Sequence, residues 1–406
     1  MRRARPLFLD LLIGAILLGV CAAGARPASA QRLDSLSPEA RLSLVTVLPG
    51  EAAYELFGHS AIRVYDPLRG VDALFNYGTF QFDAYFLPKF IYGQLDYLLR
   101  VIAYQRELPY YRQRGRSVIE QELRLSPAQR QALAQFLEIN AQPENRTYRY
   151  LFLTDNCSTR TRDALERTLG DVIRFPDTYR NPGTYRELLD RYVDHLPFMD
   201  LGFYLVLGPP ADAMASARDA HFLPDYLKEA FDGAEIRGEA GWEPLVVRTD
   251  TVYWNAGAAE RAEGGFPVWP ITWGLLALGV ALTWWRRNEV GGIIPYFDRM
   301  VFGVVGLAGV LMAFLWLIAL HDVTDRNWNL FWAWPTHLLA IVWIKARPAW
   351  LRGYWMATAA AGMIGLAGWG SWPQALHPAL VPIVLLLVLR SGWLAWKMGV
   401  IRGLRA

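Results

Sequence analysis

The chain has 406 residues, with 41 Lys and Arg against 38 Asp and Glu, so its formal net charge at neutral pH is only +3. This near balance gives no support for a nucleic-acid partner, and no nucleic-acid-binding motif occurs. Hydrophobic residues make up 53% of the chain and aromatic residues 14%. The longest apolar stretches lie at the two ends of the chain, and these ends indicate where the protein resides.

The first thirty residues have the pattern of a signal peptide. A basic start over residues 1–5 precedes an apolar stretch over 7–23, and an A-x-A motif ends at Ala30. This pattern predicts cleavage after Ala30, while Asp10 inside the apolar stretch leaves an uncleaved anchor as the alternative. Cleavage would remove Cys21 and leave Cys157 as a single thiol without a disulfide partner.

The exported part begins with strands and continues with helices. Alternating and β-branched apolar residues predict strands over 42–47, 58–64, 73–78, 97–104, 117–123 and 148–153. Helical periodicity and caps predict helices over 82–93, 127–140 and 157–169, with amphipathic helical segments over 185–195 and 218–231. Strands that precede a late helix favour an α+β fold.

Cys157 and His59 are the candidate nucleophile and base. Cys157 is expected at a strand-to-helix junction capped by Asn156 or a neighbour, where unpaired N–H groups, the helix dipole and a nearby imidazole lower a thiol pKa. His59 follows Gly58 at the start of a predicted strand. If residues 66–70 form a hairpin turn, the Asn76 amide faces His59 and orients its imidazole.

These three side chains form the thiol version of an acyl-transfer triad, in which the Cys157 N–H helps to hold the oxyanion. Each also has a plainer interpretation: a buried inert cysteine, a satisfied core histidine and local turn chemistry at Asn76. The aromatic stretch over 80–92 is a candidate surface for acyl chains, although composition alone favours core packing there. The histidines lack metal-ligand spacing, so no metal and no cofactor is predicted.

The C-terminal part is predicted to lie in a membrane. Five apolar runs approach the length that crosses a hydrocarbon core, over 267–285, 300–320, 331–344, 354–370 and 378–396. Basic residues follow the first, third and last runs, which places those loops in the cytoplasm and the exported domain outside. We therefore divide the chain into a signal peptide (1–30), an exported domain (31–265) and a transmembrane domain of about five helices (266–406).

Several phrases of the sequence together resemble a known bacterial family. They are Phe-Gly-His-Ser-Ala-Ile-Arg at 57–63, Phe-Asn-Tyr-Gly at 75–78, Asp-Asn-Cys-Ser-Thr-Arg at 155–160, Phe-Leu-Pro-Asp at 222–225, and His321 with Asn-Trp-Asn at 327–329. The resemblance is to the Lnb-type lipoprotein N-acyltransferase family and covers nearly all of the chain after the signal. It implies a circularly permuted papain-like domain, related to NlpC-type peptidases and to lecithin:retinol acyltransferase.

The resemblance also implies a reaction and its participants. The family's nucleophile carries over to Cys157 and its base to His59, and the implied activity transfers a fatty acyl chain from a phospholipid to the N-terminal amine of a diacylated lipoprotein. The implied site lies on the periplasmic side of the bacterial inner membrane. Candidate substrate-binding residues accompany these motifs: Asn156, Ser158, Tyr77, and His321 and Asn327 in an external membrane loop.

Two other functions remain open from the sequence. The same thiol and imidazole hydrolyse amides in cysteine peptidases, so a periplasmic peptidase or amidase acting on peptidoglycan is an alternative. A non-catalytic envelope scaffold, in which Cys157 only packs, is the other.

Overall fold

The computed structural model describes residues 33, 35–80, 85–175, 181–258, 267–287 and 295–403. The predicted signal peptide and the predicted boundary at residue 265 lie outside these residues. The strands are β1 (Arg41–Val47), β2 (His59–Asp66), β3 (Val71–Phe80), β4 (Asp96–Ala103), β5 (Val118–Leu123), β6 (Thr147–Arg149), β7 (Ile173–Arg174), β8 (Glu235–Gly238), β9 (Gly241–Pro244) and β10 (Val246–Tyr253). The α-helices are α1 (Phe86–Tyr92), α2 (Tyr104–Gln113), α3 (Pro127–Asn140), α4 (Cys157–Leu169), α5 (Tyr185–Val193), α6 (Pro197–Val206), α7 (Pro224–Asp232), α8 (Val268–Trp285), α9 (Pro295–Leu317), α10 (His337–Val342), α11 (Ala349–Ala367) and α12 (Val381–Gly403).

The α+β class is confirmed, and two helices have the predicted bounds. Helix α3 begins with a capping box in which Ser126 and Gln129 bond each other's backbone, and α4 begins at its predicted cap, Asn156. Caps of this kind satisfy N–H groups that the first helical turn leaves unpaired, and they depend only on residues three apart. For this reason they can be recognised in the sequence.

Other predicted elements differ from the structure. The strand predicted over 148–153 has only three residues, Thr147–Arg149, because the chain then turns and forms an isolated bridge between Leu151 and Asp155. Helix α2 and strand β10 were not predicted. Proline at position 109 obscures α2, and the middle of β10 is the polar run Arg-Thr-Asp-Thr, so neither has the usual apolar pattern.

The residues group into two compact units. The first contains the described residues within 1–90, 94–180 and 217–259, and it is built on a seven-stranded antiparallel sheet of order β10-β5-β1-β2-β3-β4-β6. Strands β7, β8 and β9 form a separate small sheet in the same unit. The hairpin of β2 and β3 turns over 66–70 as predicted, with Ile62 opposite Phe75.

The large sheet is covered on both faces, which explains why β1 is buried along almost its whole length. On one face, helices α3, α4 and α7 bury an apolar cluster that includes Leu44, Ile62 and Leu165. On the other, α2 covers Val45 and Leu74. Helix α4 packs directly on β2 and β3, so its first residue is held beside the start of β2.

The second unit contains residues 91–93, 181–216 and 260–406. Three of its described helices are long and apolar enough to cross a membrane: Val268–Trp285, Tyr296–Leu317 and Pro378–Val400. The third predicted span, 331–344, is wrong as a single crossing helix, because it contains only the six-residue α10, about 9 Å long. The count of five spans therefore stays a prediction, as do the domain boundaries.

A buried ion pair lies among these apolar helices. Arg390 on α12 makes two hydrogen bonds to Asp298 on α9, at 2.7 and 2.9 Å, and both side chains are fully buried. Thr283 on α8 also accepts a hydrogen bond from Arg390. Since charges are costly in an apolar environment, this pair fixes the mutual register of three helices.

Candidate active site

Cys157 is the first residue of α4, and the cap of that helix controls its surroundings. The Oδ1 atom of Asn156 accepts hydrogen bonds from the N–H groups of Ser158 (2.9 Å) and Thr159 (3.0 Å). The carbonyl of Asn156 accepts the N–H of Arg160. None of these bonds uses the Cys157 N–H, so this donor is free of the cap network at the start of the helix, where the dipole favours negative charge.

His59 is the first residue of β2, directly after a tight turn. Gly58 has a φ of +77°, in the left-handed region that glycine tolerates, and a Cβ there would lie 2.9 Å from the carbonyl oxygen of Val47. Val47 is also the register partner of His59 on β1. Glycine at 58 therefore lets the chain pass close to β1 immediately before the histidine.

Asn76 on β3 contacts His59, in agreement with the hairpin argument. The Asn76 side chain forms a hydrogen bond with the imidazole that raises the pKa of His59, as an oxygen acceptor does. Nε2 of His59 is buried and has no hydrogen-bond partner within the described residues, so the bond to Asn76 is made by Nδ1. Asn76 Oδ1 also accepts the N–H of Gly78 at 2.7 Å. Asn76 is thus placed to orient the His59 ring.

The residues that follow the histidine and the cysteine are hydrogen-bonded to each other. Ser60 Oγ and Ser158 Oγ are 3.1 Å apart, and both side chains are fully buried. The N–H of Ser60 is also hydrogen-bonded to the Cys157 thiol, and this bond lowers the pKa of the thiol. The start of β2 and the start of α4 are therefore joined at the point where His59 and Cys157 lie.

The two reacting groups are neutral at rest. Burial raises the pKa of the Cys157 thiol, and nearby N–H groups only partly oppose this. The expectation of a lowered thiol pKa is therefore wrong for this structure, because desolvation outweighs the helix terminus. Burial and the positive charge of Arg116 lower the pKa of His59 to about 3. A neutral imidazole can accept a proton, so the proton of the thiol must move during attack.

Two family models match this chain. One, described as the Lnb N-terminal periplasmic domain, matches residues 31–191, and the other, described as the Lnb transmembrane domain, matches residues 264–399. The chain belongs to the Lnb-type family. No curated protein and no solved structure gives a match. Lnb-family membership makes this a membrane protein with a periplasmic domain, and His59 and Cys157 both lie in the periplasmic match.

Three of the candidate substrate-binding residues flank Cys157 or follow Asn76 in the Lnb-family motifs. The amide nitrogen of Asn156 donates to the carbonyls of Phe152 (2.9 Å) and Phe222 (2.8 Å), so its side chain is fully occupied by the cap and these bonds. Ser158 is occupied by its bond across to β2. Tyr77 is 2% exposed and packs in the core against Tyr148. In this structure the polar groups of Asn156 and Ser158 are hydrogen-bonded within the protein, and a substrate role for Tyr77 stays a prediction.

The two candidates from the membrane loop lie in the second unit. Asn327 is buried, and its amide nitrogen donates to the carbonyl of Leu205 at 2.6 Å. Its Oδ1 accepts the N–H of Asn329, which caps a short 3-10 helix. His321 is partly exposed. Asn327 therefore holds the loop to α6, and a substrate role for His321 stays a prediction.

The aromatic stretch is exposed where it is described. Tyr85 is 69% exposed, Leu87 62% and Phe90 51%, and helix α1 has no buried residue. The interpretation as core packing is therefore wrong for α1, while Phe82 lies outside the described residues. Exposed apolar groups at this density on one short helix are typical of an interaction surface.

A row of aromatic rings leads from this helix toward the thiol. Tyr97 and Tyr150 stack with centroids 4.1 Å apart, Phe80 follows Tyr97 at 5.1 Å, and Phe86 on α1 follows Phe80 at 5.4 Å. A Cys157 thiolate would further raise the pKa values of Tyr97 and Tyr150, which places both near the sulfur. Sequence reasoning missed these two tyrosines, since about fifty residues of chain separate them.

Arg116 was also missed. It is 5% exposed and its charge acts on His59. Its position in a loop before β5 gave no motif, and only sheet pairing brings it to the site. A buried arginine is rare and therefore draws attention to a site, but its burial can be recognised only in the structure.

Proposed function

We propose that this protein is a cysteine-dependent lipoprotein N-acyltransferase of the bacterial inner membrane. The observation that carries the proposal is the hydrogen bond between Ser60 and Ser158, which joins the start of β2 to the start of α4. It holds the capped cysteine beside a histidine that is bonded to Asn76 and whose Nε2 has no partner among the described residues. Membership of the Lnb-type family supports a lipoprotein-modifying membrane enzyme. With this activity we propose the papain-like permuted plan, in which the histidine strand precedes the cysteine helix.

In the first half of the proposed reaction, Cys157 Sγ attacks an ester carbonyl carbon of a phospholipid. His59 Nε2 takes the thiol proton, and the Cys157 N–H donates to the oxyanion of the tetrahedral intermediate. Collapse of the intermediate breaks the ester C–O bond. The leaving lysophospholipid oxygen takes the proton from His59, and an acyl thioester remains on the enzyme.

In the second half, the α-amine of a diacylated lipoprotein attacks the thioester. His59 accepts a proton from the amine nitrogen and returns one to the departing Cys157 sulfur, so the enzyme ends as it began. His59 is neutral at rest, so its Nε2 lone pair can take this proton, and its lowered pKa makes the imidazolium a strong acid that readily gives the proton back. The role of Asn76 is to hold the ring with Nε2 toward the reacting atoms.

The lipid character of the donor is supported by the apolar surface near the site. The row from Tyr150 and Tyr97 through Phe80 to the exposed α1 offers a continuous apolar path along which an acyl chain can lie. A membrane domain in the same chain keeps the enzyme at its donor. A peptidoglycan hydrolase would need neither feature, so the acyltransferase is the favoured function.

Intact mass spectrometry of the full-length protein with phospholipid micelles tests the proposal. We expect wild type to gain an acyl mass that hydroxylamine removes, and Cys157→Ala and His59→Gln to gain none. His195→Gln is the matched control, because His195 lies in the second unit, and it should acylate like wild type. A synthetic diacylated lipopeptide with a free N-terminal amine should remove the acyl group from the wild-type enzyme.

Two results would contradict the proposal. Folded wild-type protein that gains no adduct with any of several phospholipids, but cleaves a peptidoglycan peptide, would favour the amidase. Normal complementation in cells by Cys157→Ala would favour a non-catalytic scaffold.

A further inference from the structure

A buried ion pair lies beside the site and is used by none of the steps above. Glu55 and Arg116 are 3% and 5% exposed, and Arg116 Nη1 is 3.8 Å from Glu55 Oε1. Arg114 Nη1 approaches the same carboxylate at 3.4 Å. Two guanidinium groups thus share one carboxylate, and Arg116 Nη2 is buried with no hydrogen-bond partner among the described residues. The cluster has a net positive charge.

Sheet pairing places Arg116 at the end of the sheet where β2 begins. Val47 at the end of β1 pairs with His59 on one side and with Val118 on the other. Arg116 precedes Val118 by two residues, and its Nε donates to the carbonyl of Leu48 at 3.0 Å. The guanidinium is therefore bonded to Leu48, the residue that follows Val47, and Val47 is the strand partner of His59.

Glu55 is tied to the backbone that leads into His59. Its carbonyl oxygen accepts the N–H of Gly50 at 2.9 Å and the N–H of Gly58 at 3.0 Å. A Cβ on Gly50 would lie 3.0 Å from Arg116 Cδ, so the loop is packed closely on the ion pair. A change in either partner is consequently transmitted to the residue just before His59.

The charge of the cluster acts on both reacting groups. Arg116 disfavours an imidazolium at His59, and a thiolate at Cys157 would in turn favour the charged guanidinium. The other titratable groups that face Arg116 are Glu55, Tyr110 and Tyr111. Asn76 is the polar neighbour of the histidine. Arg116 is thus the cation that acts on His59, and Glu55 is its counterion.

We propose that Arg116 and Glu55 are positioning residues that set how readily the Cys157 thiol loses its proton. The guanidinium favours the deprotonated sulfur and the neutral imidazole, and the carboxylate limits this effect. The proton passes from Cys157 Sγ to His59 Nε2, and no bond to either positioning residue forms or breaks. The inference rests on the proposed function, in which this proton transfer accompanies attack.

The test is the pH dependence of Cys157 alkylation by iodoacetamide in the full-length protein, without lipid, quantified by peptide mass spectrometry. The midpoint is the pH at which alkylation proceeds at half its maximal rate. Arg116→Gln removes the cation, so its midpoint should rise by about one pH unit. Glu55→Gln leaves the cation uncompensated, so its midpoint should fall by a similar amount. Arg116→Lys keeps the charge and should stay close to wild type.

The opposite signs separate an electrostatic role from a structural one. Loss of either partner loosens the same loop, so a purely structural pair predicts shifts in one direction for both glutamine variants. Midpoints that move together, or that do not move, would overturn the inference. If Arg116→Gln does not fold, Arg116→Lys decides together with Glu55→Gln: the inference stands only if the midpoint falls in Glu55→Gln and stays at the wild-type value in Arg116→Lys. Because the assay needs no lipid, its result is independent of whether the acyl adduct forms.

Discussion

The hydrogen bond between Ser60 and Ser158 makes a quantitative prediction. The two hydroxyls are 3.1 Å apart and both are fully buried, so neither can reach water when its partner is removed. Ser158→Ala leaves the buried Ser60 hydroxyl without this partner and should lower the free energy of unfolding by about 1–3 kcal/mol, whereas Ser60→Ala should cost less because Ser158 Oγ keeps its contact with Cys157 Sγ at 4.0 Å. The double variant removes both hydroxyls and should cost less than the sum of the singles, by about 1 kcal/mol.

Pulse proteolysis of the full-length protein across a urea gradient measures these differences, and the double-variant cycle is its own control. The same variants should form the Cys157 adduct more slowly, because the bond joins the strand of the base to the helix of the nucleophile. Additive single costs would refute the reasoning, since they would mean that the two hydroxyls do not stabilise each other. So would single variants that are as stable and as active as wild type.

Three further predictions follow from close contacts and buried charges. Gly78→Ala places a Cβ 2.9 Å from the Nδ1 of the His59 imidazole, so adduct formation should fall by at least tenfold, whereas Gly257→Ala, which meets only an amide oxygen at 3.5 Å, should acylate normally. Asp298→Asn leaves the buried guanidinium of Arg390 without its counterion and should cost about 3–5 kcal/mol, measured as loss of folded protein in detergent. His221 is 3% exposed, and burial lowers its pKa to about 4. The unfolded chain therefore binds a proton first as pH falls below about 6.5, and stability is lost down to about pH 4. His221→Phe should reduce this acid sensitivity in urea titrations at two pH values, and an unchanged pH dependence would refute the assignment.

Local sequence determined the elements that carry the site. The cap at Asn156 and the periodicity after it predict α4, since a cap and a helical repeat involve residues within one or two turns. Gly58 before a β-branched run predicts the start of β2, and a short turn between two strands predicts that Asn76 returns to His59. The proposed nucleophile, base and orienting residue were therefore accessible from the sequence, as was the Lnb-type family.

Tertiary structure decided the properties that depend on distant parts of the chain. Burial in the folded domain raises the pKa of the Cys157 thiol, which a helix terminus in the sequence does not reveal. Arg116 reaches His59 only through pairing of β1 with β5, and Tyr97 meets Tyr150 only through neighbouring strands. The third apolar run is too short as a helix to cross a membrane because it breaks around residues 332–336. Local hydrogen bonds and periodicity are written in neighbouring residues, whereas burial and long-range charge arise only once the chain has folded.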